Sequence, residues 1–508
     1  MRRFLMVLMP VTIAVAAILV SRGSVAGHQP ATAEELDELI GTAWYSVSIF
    51  GQPNGYACIE IERVDGPDGP GLRVTEDLKV MISIAGQDLE TSKSQVTIYD
   101  ASLRPLKIEL FKNEMGRQAR VEARLEDGEM IVRTSSPEPG APPPSVQRHE
   151  APSDLTSDLI VALKQIREGI SVGDSFSYHV YDADLGAIDR HTVTVDSREQ
   201  FQGRDALLLR AVSENLGMEV VSLISEEGEM LRQSAPGLMD LMLERVTEDE
   251  ALAGLVPFEI ESEIPIADRL PLVRRLREVR LRVERRVGPA AELIPQSRRQ
   301  TVSVDGDDAI VTVRRETPPE ETSQLPVTDP EFTRYLEATK YLQSDHPRVI
   351  ETAQEIIGDE TDAWAAAQKL AAWVRHNMTA VPSEPRPMTS LEALDALRGD
   401  CTEHAILLAA LGRAVGLPTR LCTGLAYVGG KFGYHAWNEV YVGRWVEMDS
   451  SWGQMTVDAG HILIYSSAVD ETSYARASLA TGRTIGTVQL QLLGYETADL
   501  REIEIGEN

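Results

Sequence analysis

The stretch GDCTEHAILLAALGRAVGLP, residues 399–418, is a helix whose two ends are both written into the sequence. Asp400 takes the N-cap position and Glu403 the third helical position, the two halves of a capping box. Ala405, Leu408, Ala409 and Gly412 follow on one stripe, and Gly416, with Pro418 beyond it, closes the segment. Cys401 therefore falls in the first turn. A thiol there faces unpaired backbone N–H groups and the positive end of the helix dipole, which favour thiolate and can pull a pKa below about 8.5. Gly399, just ahead of the cap, is expected to let a substrate backbone come close.

Such a thiolate needs a proton acceptor. Leu421 to Tyr427 alternates as a strand, the glycine-bearing loop 429–433 follows, and Tyr434 to Tyr441 carries His435, Trp437, Glu439 and Tyr441 on one face. Gly443-Arg444 then turns the chain into Trp445-Val446-Glu447-Met448-Asp449. A thiolate, an imidazole to take and return the proton, and a carboxylate to fix the imidazole tautomer form the set that acyl transfer through sulfur requires. Register decides whether they meet. A two-residue hairpin at Gly443-Arg444 puts Asn438 opposite Asp449, on the face away from His435. An odd-numbered loop, or a bulge at Gly443, puts Trp437 opposite Asp449 and His435 on the neighbouring diagonal, and this form is expected.

Four fragments in order now resemble the transglutaminase-like superfamily: Gly399-Asp400-Cys401, Arg413 to Arg420, Tyr434-His435-Ala436-Trp437, and Trp445 to Asp449. The resemblance covers roughly residues 330–470, and Ser451-Trp452-Gly453-Gln454 to His461 is similar to the tail of bacterial members. It implies a papain-like fold in which Cys401 is the nucleophile, His435 the base and Asp449 the orienter. By the same resemblance Trp373 is a candidate oxyanion donor, set against a core-packing role. Trp437 is a candidate pocket residue shielding the His–Asp pair from water. The backbone N–H of Cys401 is the other oxyanion donor. One departure is Ser450-Ser451 where many relatives carry a proline after the Asp, expected to affect the turn and not the proton chemistry.

Competing readings of the same residues are weaker. His404, three residues after Cys401, shares the nucleophile's own helix and has no orienter, so packing suits it better than base catalysis. Cys401-x-x-His404 with Cys422 or His461 lacks the second paired motif of a zinc site, and no metal or cofactor is expected. Gly424 to Lys431 imitates a phosphate loop, but Gly430 stands where the lysine belongs. Cys58 lies on the polar side of a strand beside two glutamates, with nothing to activate it; Cys422 reads as a buried strand cysteine.

Outward from this core, helices are expected over 332–342, 349–357, 363–377 and 391–397, and the whole of 326–470 reads as the catalytic domain. Residues 471–508 read as a C-terminal strand and tail. Upstream the period is two. Tyr45, Val47 and Ile49 alternate with serines, and further runs (Leu78–Ile84, Phe176–Tyr181, His191–Asp196, Ala206–Val212, Val220–Ile224) are separated by turns, which is the pattern of antiparallel sheet. This β-rich region spans 36–250, with a Pro-rich linker or long loop at 136–145, a helix near 155–168, and a turn at 98–105 loosely echoed at 224–231. A β-rich connecting region spans 251–325, its arginine run from Arg274 to Arg286 reading as a solvated strand face. The fold class is α+β: a papain-like core preceded by antiparallel β-rich domains.

The 508 residues suit about three domains, and the charge of −30 disfavours nucleic acid. Three cysteines cannot build a disulfide framework. Arg2-Arg3, the apolar run Phe4–Val20 and the small residues at Ser24–Ala26 follow the grammar of a secretory signal over 1–26, cleaved or retained as an anchor for membrane association. The expected protein is thus an extracytoplasmic, periplasmic or envelope, cysteine-dependent acyl-transfer enzyme acting on a protein or peptide. The alternative is a non-catalytic binding module on the same scaffold. Nothing in the sequence fixes the oligomeric state.

Overall fold

The computed structural model describes residues 30–497 and 502–504, apart from 67–68, 85, 115–116, 138–143, 262 and 382–387. The signal or anchor expected over 1–26 lies outside the described residues. Among those residues, no helix is long and apolar enough to cross a membrane. The chain divides into two compact units between Ile260 and Glu261.

The N-terminal unit is one 16-stranded sheet. Its strands run outward, each antiparallel to the last, from Gly41–Ile49 to Ser145–Glu150. They then return from Leu155–Thr156 to Leu241–Val246, which pairs with the first strand through Val47 and Leu243. Period-two alternation buries Tyr45, Val47 and Ile49 on one face, as antiparallel sheet requires. Ile108, Leu110, Val121 and Val132 of the outgoing half pack with Leu155 and Tyr181 of the returning half, closing a core between them. A cavity of about 90 Å³ remains there, lined by Glu76, Tyr99, Asp158 and His191 among others.

The echo between 98–105 and 224–231 is a shared turn. Asp100 Oδ1 accepts from the backbone N–H of Ser102 and Arg104, and Ser225 Oγ from that of Glu227 and Glu229. The Pro-rich stretch 136–145 connects Glu129–Ser135 to Ser145–Glu150, which pair with each other, so it joins neighbouring strands of one sheet. The helix near 155 starts later, at Ile160, because Leu155–Thr156 is held extended by parallel pairing with His179–Val180.

The C-terminal unit is α+β. One five-stranded sheet orders Glu263–Pro265, Lys431–Tyr441, Thr419–Val428 and His461–Ser467, with Trp445–Met448 on the outer side of Lys431–Tyr441. A second joins Gln300–Asp305, Asp308–Arg314, Leu276–Arg285, Val488–Thr497 and Glu502–Glu504. The stretch read as strand and tail over 471–508 opens instead with the helix Glu471–Gly482, and its strand Val488–Thr497 joins the stretch read as 251–325 in one sheet, with Val283 opposite Leu490. In Leu276–Arg285 the apolar Val279, Leu281 and Val283 are buried while the intervening arginines keep some exposure, as the solvated-face reading expects.

Helices form at Pro347–Ile357, Ala363–Asn377, Ser390–Ala396 and Cys401–Ala414. The helix expected over 332–342 does not form: only the 3-10 turn Pro330–Tyr335 is present. Phe332 and Tyr335 pack individually on Tyr441 and Trp445, and Thr339 and Leu342 exchange backbone hydrogen bonds that close a separate turn. The Cys401–Ala414 helix is buried from Thr402 to Arg413, so it is apolar almost all round, as a central helix must be. Each of its leucines contributes about 1.5–3 kcal/mol on burial. Gly416 ends it at φ +77°, where a Cβ would also stand 2.4 Å from the Pro326 ring.

Candidate active site

Cys401 is the first residue of its helix and partly exposed. The capping box is complete: Asp400 accepts from the Thr402 N–H at 2.8 Å, and Glu403 Oε2 from the Asp400 N–H at 3.1 Å. Glu403 folds back over Gly399, where a Cβ would lie 2.3 Å from its own Cβ. The glycine therefore makes room for the cap, not for the substrate backbone expected from the sequence.

The helix is tied to the neighbouring strand by Asn438, fully buried, whose Nδ2 donates to Ala405 O at 2.9 Å. The turn after that strand has three residues, Val442-Gly443-Arg444, since Tyr441 pairs with Trp445 and Asn438 with Met448. This odd-numbered loop carries Asp449 across from Trp437 and sets it diagonal to His435. His435 Nε2 lies 2.9 Å from Asp449 Oδ2. With Nε2 committed there, Nδ1 is left for the sulfur.

Burial works against the charged form of His435. The negative charge of Asp449, and then that of the Cys401 sulfur, outweigh it and push the imidazole pKa up to about 10. Burial likewise opposes the Asp449 carboxylate, but His435 and His461 hold its pKa well below the usual range. Its other oxygen, Oδ1, accepts from the Ser451 N–H at 2.8 Å, the Ser451 hydroxyl at 2.6 Å and the Trp452 N–H at 3.2 Å. Ser451 thus supplies two donors to the carboxylate.

His461 is the group that sequence reasoning left at the margin. It is fully buried, with Nδ1 3.0 Å from Asp458 Oδ1 and Nε2 3.5 Å from Asp449 Oδ2. Burial disfavours its charge, yet the two carboxylates raise its pKa. Asp458, Asp449, His435 and Cys401 are thereby linked in series. One ring nitrogen each of His435 and His461 and a carboxylate oxygen of Asp449 all lie within 4.8 Å of one another, the ligand-like group found among the described residues. A cation there would compete with the proton that His435 shares with Asp449.

Aromatic rings enclose the imidazole. Trp452 stacks on His435 at 4.3 Å between centroids and 25° between planes, and Trp437 lies at 6.2 Å on a near-parallel plane. Trp437 is 1% exposed and donates its indole N–H to Glu447 at 2.9 Å, so it packs and has no donor to spare for an oxyanion. Trp373 sits half-buried on Ala363–Asn377, and its ring joins none of the aromatic pairs around His435. His404 gives Nδ1 to Asp400 O at 2.7 Å and, being buried, has a lowered pKa, which is the packing role.

Arg299 had no signature in the sequence. It is buried, chelates Glu447 through Nε–Oε1 at 2.8 Å and Nη2–Oε2 at 2.5 Å, and donates to the carbonyls of Asp458 and His461. The pair fixes the floor beneath Trp437 and the segment that delivers His461. The other cysteines are unlike Cys401. Burial and the charges of Asp77 and Glu60 push Cys58 up to about 11, and burial beside Glu439 raises Cys422 well above the ordinary range.

Residues 350–450 match the family model described as the transglutaminase-like superfamily. The region that holds Cys401, His435 and Asp449 is therefore transglutaminase-like. No curated protein matches the sequence. Among solved structures the chain is similar to a candidate cysteine protease from Cytophaga hutchinsonii, at 15% identity, 46% coverage of this chain, 93% of that one and a TM-score of 0.33. It is also similar to a β-barrel-like protein from Brucella abortus, of a domain of unknown function, at 13% identity, 41% and 95% coverage and a TM-score of 0.31. Likenesses of that size do not assign an activity.

Proposed function

We propose that the chain is an extracytoplasmic cysteine-dependent acyl-transfer enzyme acting on amide or peptide bonds. The observation that carries this reading is the buried His435, 2.9 Å from Asp449 on one side and held in its charged form by Asp449 and Cys401 together. The Cys401 thiolate, its proton already resting on His435, attacks the amide carbonyl, forming a C–S bond as the carbonyl π bond opens to the oxyanion. Backbone N–H groups at the helix start, that of Cys401 included, receive the developing oxyanion. The tetrahedral intermediate collapses as His435 Nδ1 protonates the departing amine or ammonia, leaving a thioester on Cys401. His435, now neutral, deprotonates the second nucleophile, which attacks the thioester; the C–S bond breaks and the Cys401 thiolate leaves beside the reprotonated imidazole. Asp449 keeps the imidazole in one orientation throughout.

Water as the second nucleophile makes the protein a protease or deamidase; a lysine amine makes it a cross-linking transferase. Hydrolysis is the form favoured here, on the compartment implied by residues 1–26. The scheme needs no cofactor. The test is mass spectrometry of envelope proteins incubated with the full chain and a primary-amine probe, with Cys401→Ala as control. New chain termini or deamidated glutamines that depend on Cys401 are the expected products. Amine adducts would assign transfer, and no product above control would leave only a binding module.

A further inference from the structure

A groove of about 560 Å³ opens beside the ring that covers His435. One wall is Trp452, stacked on the imidazole at 4.3 Å; the opposite wall is the segment 269–274. That segment is pinned in place. The Leu270 N–H donates to the Tyr427 hydroxyl at 2.9 Å, and Arg274 Nη2 to Trp452 O at 3.1 Å. Val273 lies so close to Gly460 that a Cβ there would stand 2.8 Å from its methyl. The groove is therefore a built feature of the fold, continuous with the site.

Its chemistry is unusual for this chain. The protein carries 79 acidic and 49 basic side chains, yet the groove lining holds two arginines and one aspartate. Arg269 and Arg274 both line the groove, and neither is ion-paired among the described residues. The carboxylate in the lining, Asp458, is already taken by His461, the Gly460 N–H and Gln454. Beside the two guanidiniums stand Leu272, 71% exposed, and Val428, 53% exposed, both large apolar side chains facing water. Paired guanidiniums next to an apolar ledge are complementary to a carboxylate beside an aliphatic side chain, and a guanidinium fork suits a carboxylate better than any neutral group.

We propose that the groove selects acidic peptides: a carboxylate close to the scissile amide seats on Arg269 and Arg274 while a neighbouring apolar side chain covers Leu272 and Val428. This rests on the acyl-transfer reading of Cys401 and names the substrate class for it. The carboxylate comes from a glutamate or aspartate side chain or from a free peptide C-terminus; both present the same two oxygens.

The test is calorimetric binding to the full chain carrying Cys401→Ala, at low ionic strength, with four six-residue peptides of otherwise common leucine-containing sequence. The first has an internal glutamate and an amidated end, the second a glutamine and an amidated end. The third has a glutamine and a free C-terminal carboxylate, and the fourth a lysine and an amidated end. The first or third, or both, should bind at least tenfold more tightly than the second and fourth, and which one does identifies the source of the carboxylate. Arg269→Gln with Arg274→Gln should bring the acidic peptides down to the level of the glutamine peptide. Arg269→Gln alone, which removes no hydrogen bond or ion pair among the described residues, should remove a large part of the preference, and added salt should weaken it. Equal binding of all four peptides, no binding of any, or a preference that survives both arginine changes would overturn the proposal. Turnover by the unaltered chain separates the two claims. Arginine-dependent binding without any Cys401-dependent product keeps the groove and removes the enzyme; Cys401-dependent product without acidic preference does the reverse.

Discussion

His435 and Asp449 stand in a diagonal pair across two antiparallel strands, Nε2 to Oδ2 at 2.9 Å, because the turn between them holds three residues and not two. The carboxylate is what keeps the proton on the buried ring. In Asp449→Asn that charge is gone, so the His435 pKa should fall from about 10 toward its ordinary value near 6.5. The alkaline limb of the pH–rate profile should move down with it. Turnover should drop by about ten-thousand-fold, the size of the same change in a serine triad.

His461 should act in the opposite direction. It brings a second positive charge to Asp449, its ring centroid 5.7 Å from that of His435. In His461→Leu, Asp449 acts on His435 alone, so the alkaline limb should move up where Asp449→Asn moves it down. Asp458 loses one partner and keeps Gln454 and the Gly460 N–H, which should cost about 1–3 kcal/mol of stability. A pH profile of turnover and a urea melt read both effects; a limb that stays put would show that His461 only packs.

The Arg299–Glu447 pair makes a sharper stability prediction. Arg299→Ala leaves Glu447 charged and buried, with the Trp437 Nε1–H as poor compensation, and should cost about 3–5 kcal/mol. Arg299→Met with Glu447→Gln removes both charges and retains an acceptor for Trp437. It should recover part of that loss in a chemical melt. Equal destabilisation by the single and double variants would contradict the account.

Stability against pH follows from the same groups. Burial opposes the charges of Glu447, Asp449 and Asp458, but their cationic partners hold all three carboxyls below the ordinary range. Their contribution is full above about pH 4 and disappears as pH falls through the folded values. His435 and His461 are raised, so theirs is full below about pH 6.5 and is lost as pH rises, toward about 10 for His435. The C-terminal unit should melt highest between about pH 4.5 and 6.5. Tryptophan fluorescence reports it, since Trp437 and Trp452 flank the network.

What the sequence disclosed depended on how local the cause was. The Cys401 helix could be read because its cap, its apolar stripe and its terminating glycine all lie within one stretch. The diagonal pairing of His435 and Asp449 could be read because one turn length decides it. The segment 332–342 could not: Phe332 and Leu342 have helical spacing, yet each is buried separately, and the aromatic contacts to Tyr441 and Trp445 prevail over a weak local preference. Gly399 was read as room for a ligand when it is room for Glu403, a distinction only the folded side chain reveals. Arg299 meets Glu447 from 148 residues away, and no pattern in either neighbourhood announces it. Of the two groove arginines, Arg274 opens the run that read as a solvated face, and Arg269 carried no signal.

Activation of Cys401 by His435 is tested, without any knowledge of the substrate, by the rate at which iodoacetamide alkylates each cysteine at pH 6.5. Cys401 should react much faster than Cys58, whose pKa is about 11, and than the buried Cys422. His435→Ala should slow Cys401 at least tenfold while leaving the other two unchanged. If Cys401 reacts no faster than Cys58, or if losing His435 makes no difference to it, sulfur and imidazole do not work as a pair.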